Sequence, residues 1–149
     1  MSAWAIRDAA RRDADVIIDL EGRAFGPASW GANAVGDGLT APHVHALLAC
    51  VSGGSQAAGF AFWRAVGEEA EILSIGVAPT SRRRGAARAL LAAIIDRARA
   101  EGVRRLFLEV DVGNAAAVAL YESFAFERIG KRKRYYRNGG DALVMRLDL

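Results

Sequence analysis

Short apolar runs separated by glycine-containing turns make up the middle of the chain. The runs lie at residues 45–51, 57–65 and 71–77. Runs of this length on short connections predict three strands of an antiparallel meander. A shorter run at 4–6 predicts a first strand near the start of the sequence.

Elsewhere the apolar positions follow the spacing of helices. They predict a helix over 13–25, which Gly26-Pro27 ends, and a helix across 87–98, which Gly102 ends. A strand follows at 105–110, and a strand–helix–strand order implies a parallel pair joined by a right-handed crossover.

Residues 28–42 are ambiguous. Trp30, Ala34 and Val35 favour a short amphipathic helix, whereas glycines at 31, 36 and 38 make that helix loose. A segment of this kind beside an active site often forms part of a substrate wall.

The last third predicts a helix over 114–123 and two strands, 126–136 and 142–147, joined as a hairpin through Asn138-Gly139-Gly140. The sum is an α+β fold with one central mixed, mostly antiparallel sheet and about four helices. A length of 149 residues fits a single domain over 1–149.

Composition narrows the function classes. Hydrophobic residues make up 52% of the chain, and the net charge is +3. This mild basicity suits a phosphate-bearing cofactor, but it is too weak to indicate specific nucleic-acid binding. Cys50 is the only cysteine, and with two histidines it makes a poor ligand set, so we predict no metal. Without a signal peptide or a long apolar stretch, we expect a cytoplasmic protein with no membrane contact.

The most informative segment runs from Ile75 to Ala87, where a strand ends, a basic loop turns and a helix begins. The first turn of a helix exposes backbone N–H groups, and small residues such as Gly85 and Ala87 let an anion approach them. Taken alone, the segment is more often a solvated basic helix start without a ligand.

Two blocks give this segment a context. Residues 82–87 resemble the (Q/R)xxGx(G/A) acyl-CoA signature of the GNAT superfamily of N-acetyltransferases. Residues 108–121 resemble the LEVxxxNxxAxxLYxxxGF block of its RimI-type branch, the ribosomal-protein-alanine N-acetyltransferases. The tail at 132–136 and 141–145 matches the same branch, so the agreement runs in order over about 71–147.

The resemblance implies a V-shaped splay in the sheet and acetyl-CoA as cosubstrate. The strand before the basic loop would pair with the pantetheine arm, and the loop would hold the pyrophosphate. The cofactor-binding residues that it implies are Ile75, Gly76, Val77, Arg82, Arg83, Arg84, Gly85, Ala86, Ala87, Arg88, Asn114 and Tyr121. Asn114 has a second interpretation as the cap of the following helix.

The resemblance also implies catalytic roles. Glu109 matches the general base and Tyr121 the general acid, with Glu71 as a second candidate base. An acceptor amine must lose a proton before it attacks a thioester, which a carboxylate can take directly or through water. Outside this context, a solvated carboxylate and a half-buried aromatic are the plainer interpretations of Glu109 and Tyr121.

The expected acceptor is a peptide or protein N-terminus, with a ribosomal protein favoured. The candidate substrate-binding residues are Trp30, Glu71, Tyr135 and Tyr136. The two tyrosines are equally compatible with strand aromatics that pack on the sheet. The basic run at 128–137 has the pattern of a solvated strand face. Ala125 stands where the family block has glycine, which indicates a turn that tolerates a Cβ atom.

Alternatives remain open at this point. The chain could acetylate a small amine such as a polyamine, an amino acid or an aminoglycoside, or it could be a non-catalytic acyl-CoA-binding module. We expect a monomer or a weak dimer.

Overall fold

A seven-stranded sheet runs through the structure, a computed structural model that describes residues 3–136 and 139–149. The strands are β1 (Trp4–Asp8), β2 (Val44–Val51), β3 (Ala57–Val66), β4 (Glu69–Val77), β5 (Arg105–Asp111), β6 (Glu127–Arg132) and β7 (Ala142–Asp148). They lie in the order β1-β2-β3-β4-β5-β7-β6. All neighbouring pairs are antiparallel except β4 and β5, which are parallel.

Helices cover both faces of this sheet. They are α1 (Ala14–Phe25), α2 (Ala32–Thr40), α3 (Ala86–Ala100) and α4 (Ala115–Ser123). The α3 and α4 residues share one core cluster, and the α1 and α2 residues share the other. The mixed α+β fold with four helices in the described residues confirms the prediction. None of the helices in the described part of the chain has the length and apolarity that a membrane crossing requires.

The predicted meander is β2–β3–β4. Val66 pairs with Glu69, so the β3–β4 connection is a two-residue hairpin at Gly67 and Glu68. Gly67 takes a φ of +63°, a conformation that glycine adopts without strain. β4 therefore begins two residues before the predicted start at 71.

The splay of the sheet lies between β4 and β5. The parallel pairing covers only Glu69–Ile72 against Arg105–Leu108. Opposite β3, the register shifts between Ser74 and Ile72, so Leu73 is an extra residue in a β-bulge. Beyond this bulge β4 and β5 diverge, which opens a V and leaves residues 73–77 with a free backbone edge on the β5 side.

Each face of the sheet has its own apolar core. Leu90, Leu91 and Ile94 of α3 are fully buried on one face, and Ile17 of α1 is fully buried on the other. Each such side chain contributes about 1.5–3 kcal/mol to folding. The ambiguous segment forms α2, and Gly38 has a packing role in it, because a Cβ there would lie 3.1 Å from the Phe62 ring.

Near the C-terminus, one prediction was wrong and the structure adds a conformational cost to another. β6 ends at Arg132 and not at 136, because Arg134 adopts a φ of +51° and its N–H donates to Asp141 Oδ1 at 2.8 Å. Ala125 adopts a φ of +71°, so this turn holds its Cβ at a conformational cost instead of tolerating it freely. Arg137 of the basic run and Asn138 of the predicted turn lie outside the described residues.

Candidate active site

The free edge of β4 is the first part of the site. Ile75 and Val77 turn their side chains towards the α3 core, while Gly76 lies against the opposite core. A Cβ at Gly76 would lie 2.5 Å from the Phe60 ring, so this position excludes any side chain. Beyond Ile72 the backbone of β4 has no strand partner on the β5 side, as an added strand would require.

The basic loop continues from this edge into α3. Arg83 and Gly85 both have positive φ values, +63° and +86°, which turn the chain sharply before the helix. Ala86 is buried under the loop and Ala87 is half-buried, so neither covers the exposed N–H groups of the first helical turn. Arg84 is held through its carbonyl oxygen, which accepts a 2.7 Å hydrogen bond from Trp4 Nε1.

Arg82 of the loop and Arg88 of α3 use their side chains within the protein. Arg82 donates from Nη2 to the Ala24 carbonyl at 2.9 Å and from Nε to the Val77 carbonyl at 3.3 Å. Arg88 donates from Nη2 to Ser123 Oγ at 3.1 Å. These bonds fix the loop to α1 and β4, and α3 to α4. Arg83 and Arg84 are the loop arginines whose side chains remain exposed without such a bond in the described structure.

Glu109 lies on the β5 side of the V. It directly follows Leu108, the last residue that pairs with β4. Leu108 and Val110 are buried in the α3 core, so Glu109 points to the other face of the sheet. Its side chain is 18% exposed and forms a 3.0 Å ion pair from Arg132 Nε to its Oε1.

Tyr121 lies on α4 and packs against the α3 core, on the opposite face of the sheet from Glu109. Its ring packs against Phe126 with centroids 5.8 Å apart and an interplanar angle of 63°. Burial raises the pKa of Tyr121 to about 12, so its phenol stays protonated and can donate a proton or a hydrogen bond at neutral pH. The helix that carries it begins at Asn114, whose side chain accepts from the Ala117 N–H at 3.2 Å. This bond supports the capping interpretation of Asn114.

Tyr135 and Tyr136 lie in the connection after β6 and not in a strand. Their rings meet edge to face at 5.1 Å. A hydrogen bond to Glu109 raises the pKa of Tyr135. Burial, followed by the negative charges of Asp111 and Glu109, raises the pKa of Tyr136 to about 12. Both phenols therefore lie beside the candidate base.

A groove of about 450 Å³ runs along the sheet on the face of Glu109. Its lining residues are Arg64, Val66, Glu69, Ala70, Glu71, Phe107, Leu108, Glu109, Arg132 and Val144. The two candidate bases thus share one groove. Glu71 is ion-paired to Arg64 at 3.0 Å, and its side chain is 41% exposed, against 18% for Glu109. Glu109 is therefore the more enclosed of the two carboxylates.

Glu21 is a buried carboxylate that the sequence analysis missed. It is 1% exposed, and its two oxygens accept the N–H groups of Trp30 at 2.6 Å and Gly31 at 3.1 Å. This holds the α1–α2 connection closed and places Trp30 on the Phe62 ring, with centroids 5.4 Å apart. The sequence signal was an acidic residue among the apolar positions of the α1 helix.

The contacts of Trp4 and Arg132 were also missed. Trp4 lies on the edge strand β1 and reaches Arg84 across 80 residues of sequence. Arg132 appeared in the sequence analysis only within the basic run and the family tail at 132–136. Nothing local in the sequence indicates either contact.

Known proteins that resemble this chain in sequence and in fold belong to one family. A family model described as "Acetyltransferase (GNAT) family" matches residues 9–126. The N-alpha-acetyltransferase RimI of Mycobacterium tuberculosis is 41% identical over 144 residues, which cover 93% of this chain and 88% of that protein. The [ribosomal protein bS18]-alanine N-acetyltransferase of Escherichia coli is 42% identical over 95 residues, 62% of this chain and 64% of that protein. A crystal structure of the ribosomal-protein-S18-alanine N-acetyltransferase from Escherichia coli superposes with a TM-score of 0.89 at 32% identity, covering 97% of this chain and 93% of that chain.

Proposed function

This chain belongs to the GNAT family of acetyltransferases, and from that premise we propose that it transfers the acetyl group of acetyl-CoA to the N-terminal α-amino group of a protein. The names of its relatives favour an N-terminal alanine, and a ribosomal protein as its carrier. The groove on the Glu109 face supports a peptide acceptor, because it extends well beyond the V from Glu109 to Val66.

The residues on the α3 face fit acetyl-CoA. The free edge of β4 at residues 73–77 offers main-chain partners to the amides of pantetheine. The α3 start offers N–H groups and a positive dipole end to a diphosphate, and the exposed Arg83 adds charge. When bound, the thioester supplies an activated acetyl group.

The two catalytic roles fall to groups on opposite sides of the V. Glu109 lies on the groove face, where the acceptor amine would enter, and takes a proton from it directly or through water. The neutral amine then attacks the thioester carbonyl, a C–N bond forms, and the C–S bond breaks. Tyr121, a protonated phenol on the α4 side, gives its proton to the departing sulfur. As the amide forms, the second proton of the amine passes to the Tyr121 phenolate directly or through solvent, and Glu109 then releases its proton to solvent.

The observation that carries this proposal is the position of Glu109 at the splay, together with a buried phenol, Tyr121, on the helix that follows β5. The first residue of β5 beyond its pairing with β4 is a partly enclosed carboxylate, and the helix behind it supplies a phenol that burial keeps protonated. A non-catalytic acyl-CoA-binding module would need the free edge and the basic loop, but it would have no use for this pair.

The first test is turnover. The protein is incubated with acetyl-CoA and either an alanine-starting peptide or a panel of polyamines, amino acids and aminoglycosides, while thiol release and product mass are followed. We expect acetylation of the peptide at its α-amine. A peptide that starts with acetylated alanine is the matched blank. Turnover of panel amines alone would refute the protein acceptor, and no turnover with any amine would refute the enzyme.

The second test uses variants of the two catalytic groups. We expect Glu109→Gln to lower kcat by roughly 10²–10⁴-fold while calorimetry shows coenzyme A binding unchanged. Tyr121→Phe keeps the packing on Phe126 and should also lower kcat. Glu71→Gln is the matched control, and we expect a change of less than about threefold. A larger loss in Glu71→Gln than in Glu109→Gln would transfer the base role to Glu71.

A further inference from the structure

Arg132 forms an ion pair with the candidate base. Its Nε lies 3.0 Å from Glu109 Oε1. Arg132 pairs with Ala142 of β7, and Glu109 pairs with Val144 of the same strand. The guanidinium therefore crosses β7 on the groove face to reach the carboxylate. On this face the guanidinium lies at the entrance that an acceptor amine would use.

Arg132 is the cation that compensates Glu109 in the resting structure. The charged and titratable side chains near Glu109 are Glu69 and Glu71 on β4 and Arg64 on β3 in the groove, Asp111 two residues later on β5, and Tyr135 and Tyr136 after β6. Arg64, the other cation of this set, is already paired with Glu71. Without Arg132, a partly enclosed carboxylate would lie near three further carboxylates and two phenols.

The exposure of the ion pair allows another cation to replace Arg132 beside Glu109. The Arg132 side chain is 59% exposed. Exposed ion pairs contribute little to stability. Both a guanidinium and an ammonium donate charge-assisted hydrogen bonds to a carboxylate. At neutral pH most α-amino groups are ammonium ions.

We propose that Arg132 is the resting counter-ion of Glu109 and holds the place that the ammonium of the acceptor takes on binding. This inference rests on the proposed function. The exchange keeps one positive charge beside Glu109 throughout, whereas a neutral hydroxyl acceptor would leave the carboxylate uncompensated. Arg132 thus selects for amine acceptors and acts on the reaction only through Glu109, as a positioning residue.

The first experiment measures binding by calorimetry at pH 7, where the acceptor is mostly an ammonium ion, with coenzyme A present. An alanine-starting peptide is compared with the same peptide acetylated at its N-terminus, in wild type, Arg132→Gln and Arg128→Gln. Arg128 is the matched control because it lies on the same strand and pairs with Glu122, away from the groove. Removing a competitor in a weak exposed pair should tighten binding of the free-amine peptide by about two- to fivefold. Binding of the acetylated peptide should not change, and Arg128→Gln should behave as wild type.

Steady-state kinetics provide a second test of the same exchange. For Arg132→Gln we expect a lower acceptor KM by the same factor, with kcat within about twofold of wild type. Arg132→Lys keeps a competing cation and should restore the wild-type KM. Equal effects on both peptides, or weaker binding of the free-amine peptide in Arg132→Gln, would overturn the proposal, because the arginine would then contact the acceptor itself.

A third measurement needs no turnover. The Nε–H resonance of Arg132 is assigned by its absence in Arg132→Gln. We expect it to shift in Glu109→Gln, and to shift in the same direction when the free-amine peptide is added to wild type. A resonance unmoved by Glu109→Gln would overturn the resting pair. If the pair is present but wild type acetylates only panel amines, the protein acceptor fails and the exchange is tested with the best of those amines.

Discussion

Gly76 lies on the free edge of β4 and also packs against the core on the α1 face of the sheet. A Cβ placed there would lie 2.5 Å from Cε1 and 2.9 Å from Cζ of Phe60, and 3.1 Å from Cε2 of Phe25. Phe60 is fully buried and packs edge to face on Phe25 and Phe62, at 6.3 and 6.0 Å between centroids. Its ring therefore has no free space into which it could move away.

We expect Gly76→Ala to destabilise the fold. Overpacking of a filled core costs about 1–3 kcal/mol. The smaller conformational freedom of alanine in the unfolded chain returns about 0.4–1 kcal/mol. The net loss is about 1–2 kcal/mol, measured as the free energy of unfolding in urea. For a chain of this size it lowers Tm by about 2–8 °C.

Two further variants separate the clash from a general effect of alanine. Gly130→Ala is the control, because its Cβ would lie 3.9 Å from the Val144 Cβ, an ordinary contact, and we expect a change within about 0.5 kcal/mol. Phe60→Leu removes the ring atoms that the new methyl would meet. In that background Gly76→Ala should cost at least 0.5 kcal/mol less, roughly the smallest coupling typical of contacting residues. Strictly additive effects would show that the ring is not the obstacle.

Four other predictions follow from single contacts. Ala125→Gly should stabilise the fold by about 0.5–1 kcal/mol in urea unfolding, because alanine is held at a φ of +71°, and a loss would contradict the assigned turn. The pKa of Asp13 is lowered from 3.8 to about 2, chiefly by its hydrogen bond to an arginine. Its contribution, about 1–2 kcal/mol after discounting for the half-exposed partner, is present above pH 4 and is lost as the pH falls through 2. Asp13→Asn should lack that loss in a comparison of unfolding between pH 2 and 7. Glu21→Ala leaves two N–H groups without acceptors and should cost about 2–4 kcal/mol and raise the acceptor KM, whereas wild-type stability would rule out its bracing role. Trp4→Phe removes the hydrogen bond to the basic loop and should weaken coenzyme A binding about two- to fivefold by calorimetry; unchanged affinity would show that the loop needs no such support.

The elements that the sequence predicted well are those set by local pattern. The meander follows from apolar runs and a glycine turn, and the parallel pair follows from the intervening amphipathic α3 helix. The end of β6 could not be predicted, because Arg134 takes its conformation from a hydrogen bond to Asp141, seven residues later. The α2 helix depends likewise on distant partners, since Glu21 orders the residues before it and the Phe62 ring packs on it.

The residues of the candidate site also fall into two groups, those within a local motif and those that depend on distant contacts. Glu109 and Tyr121 came from a motif whose spacing is fixed by one strand and the helix after it. Arg132, Trp4 and Glu21 act on partners that only the folded chain brings near. A sequence pattern can assign a role to a residue within such a block, but it cannot show which distant side chain holds that residue in place.

The place of Glu109 in β5 explains why the V and the chemistry coincide. Strands that pair lie about 4.8 Å apart, which leaves no room for a reacting centre between them. One residue earlier, Leu108 still pairs with β4 and points into the α3 core. One residue later, Val110 is in that core again. Residue 109 is thus the first position on β5 that is both beyond the pairing and directed to the groove. A shift of one residue in the register would turn the carboxylate away from the groove, so the end of the pairing beside the bulge at Leu73 also decides which residue is available for the proposed role of base.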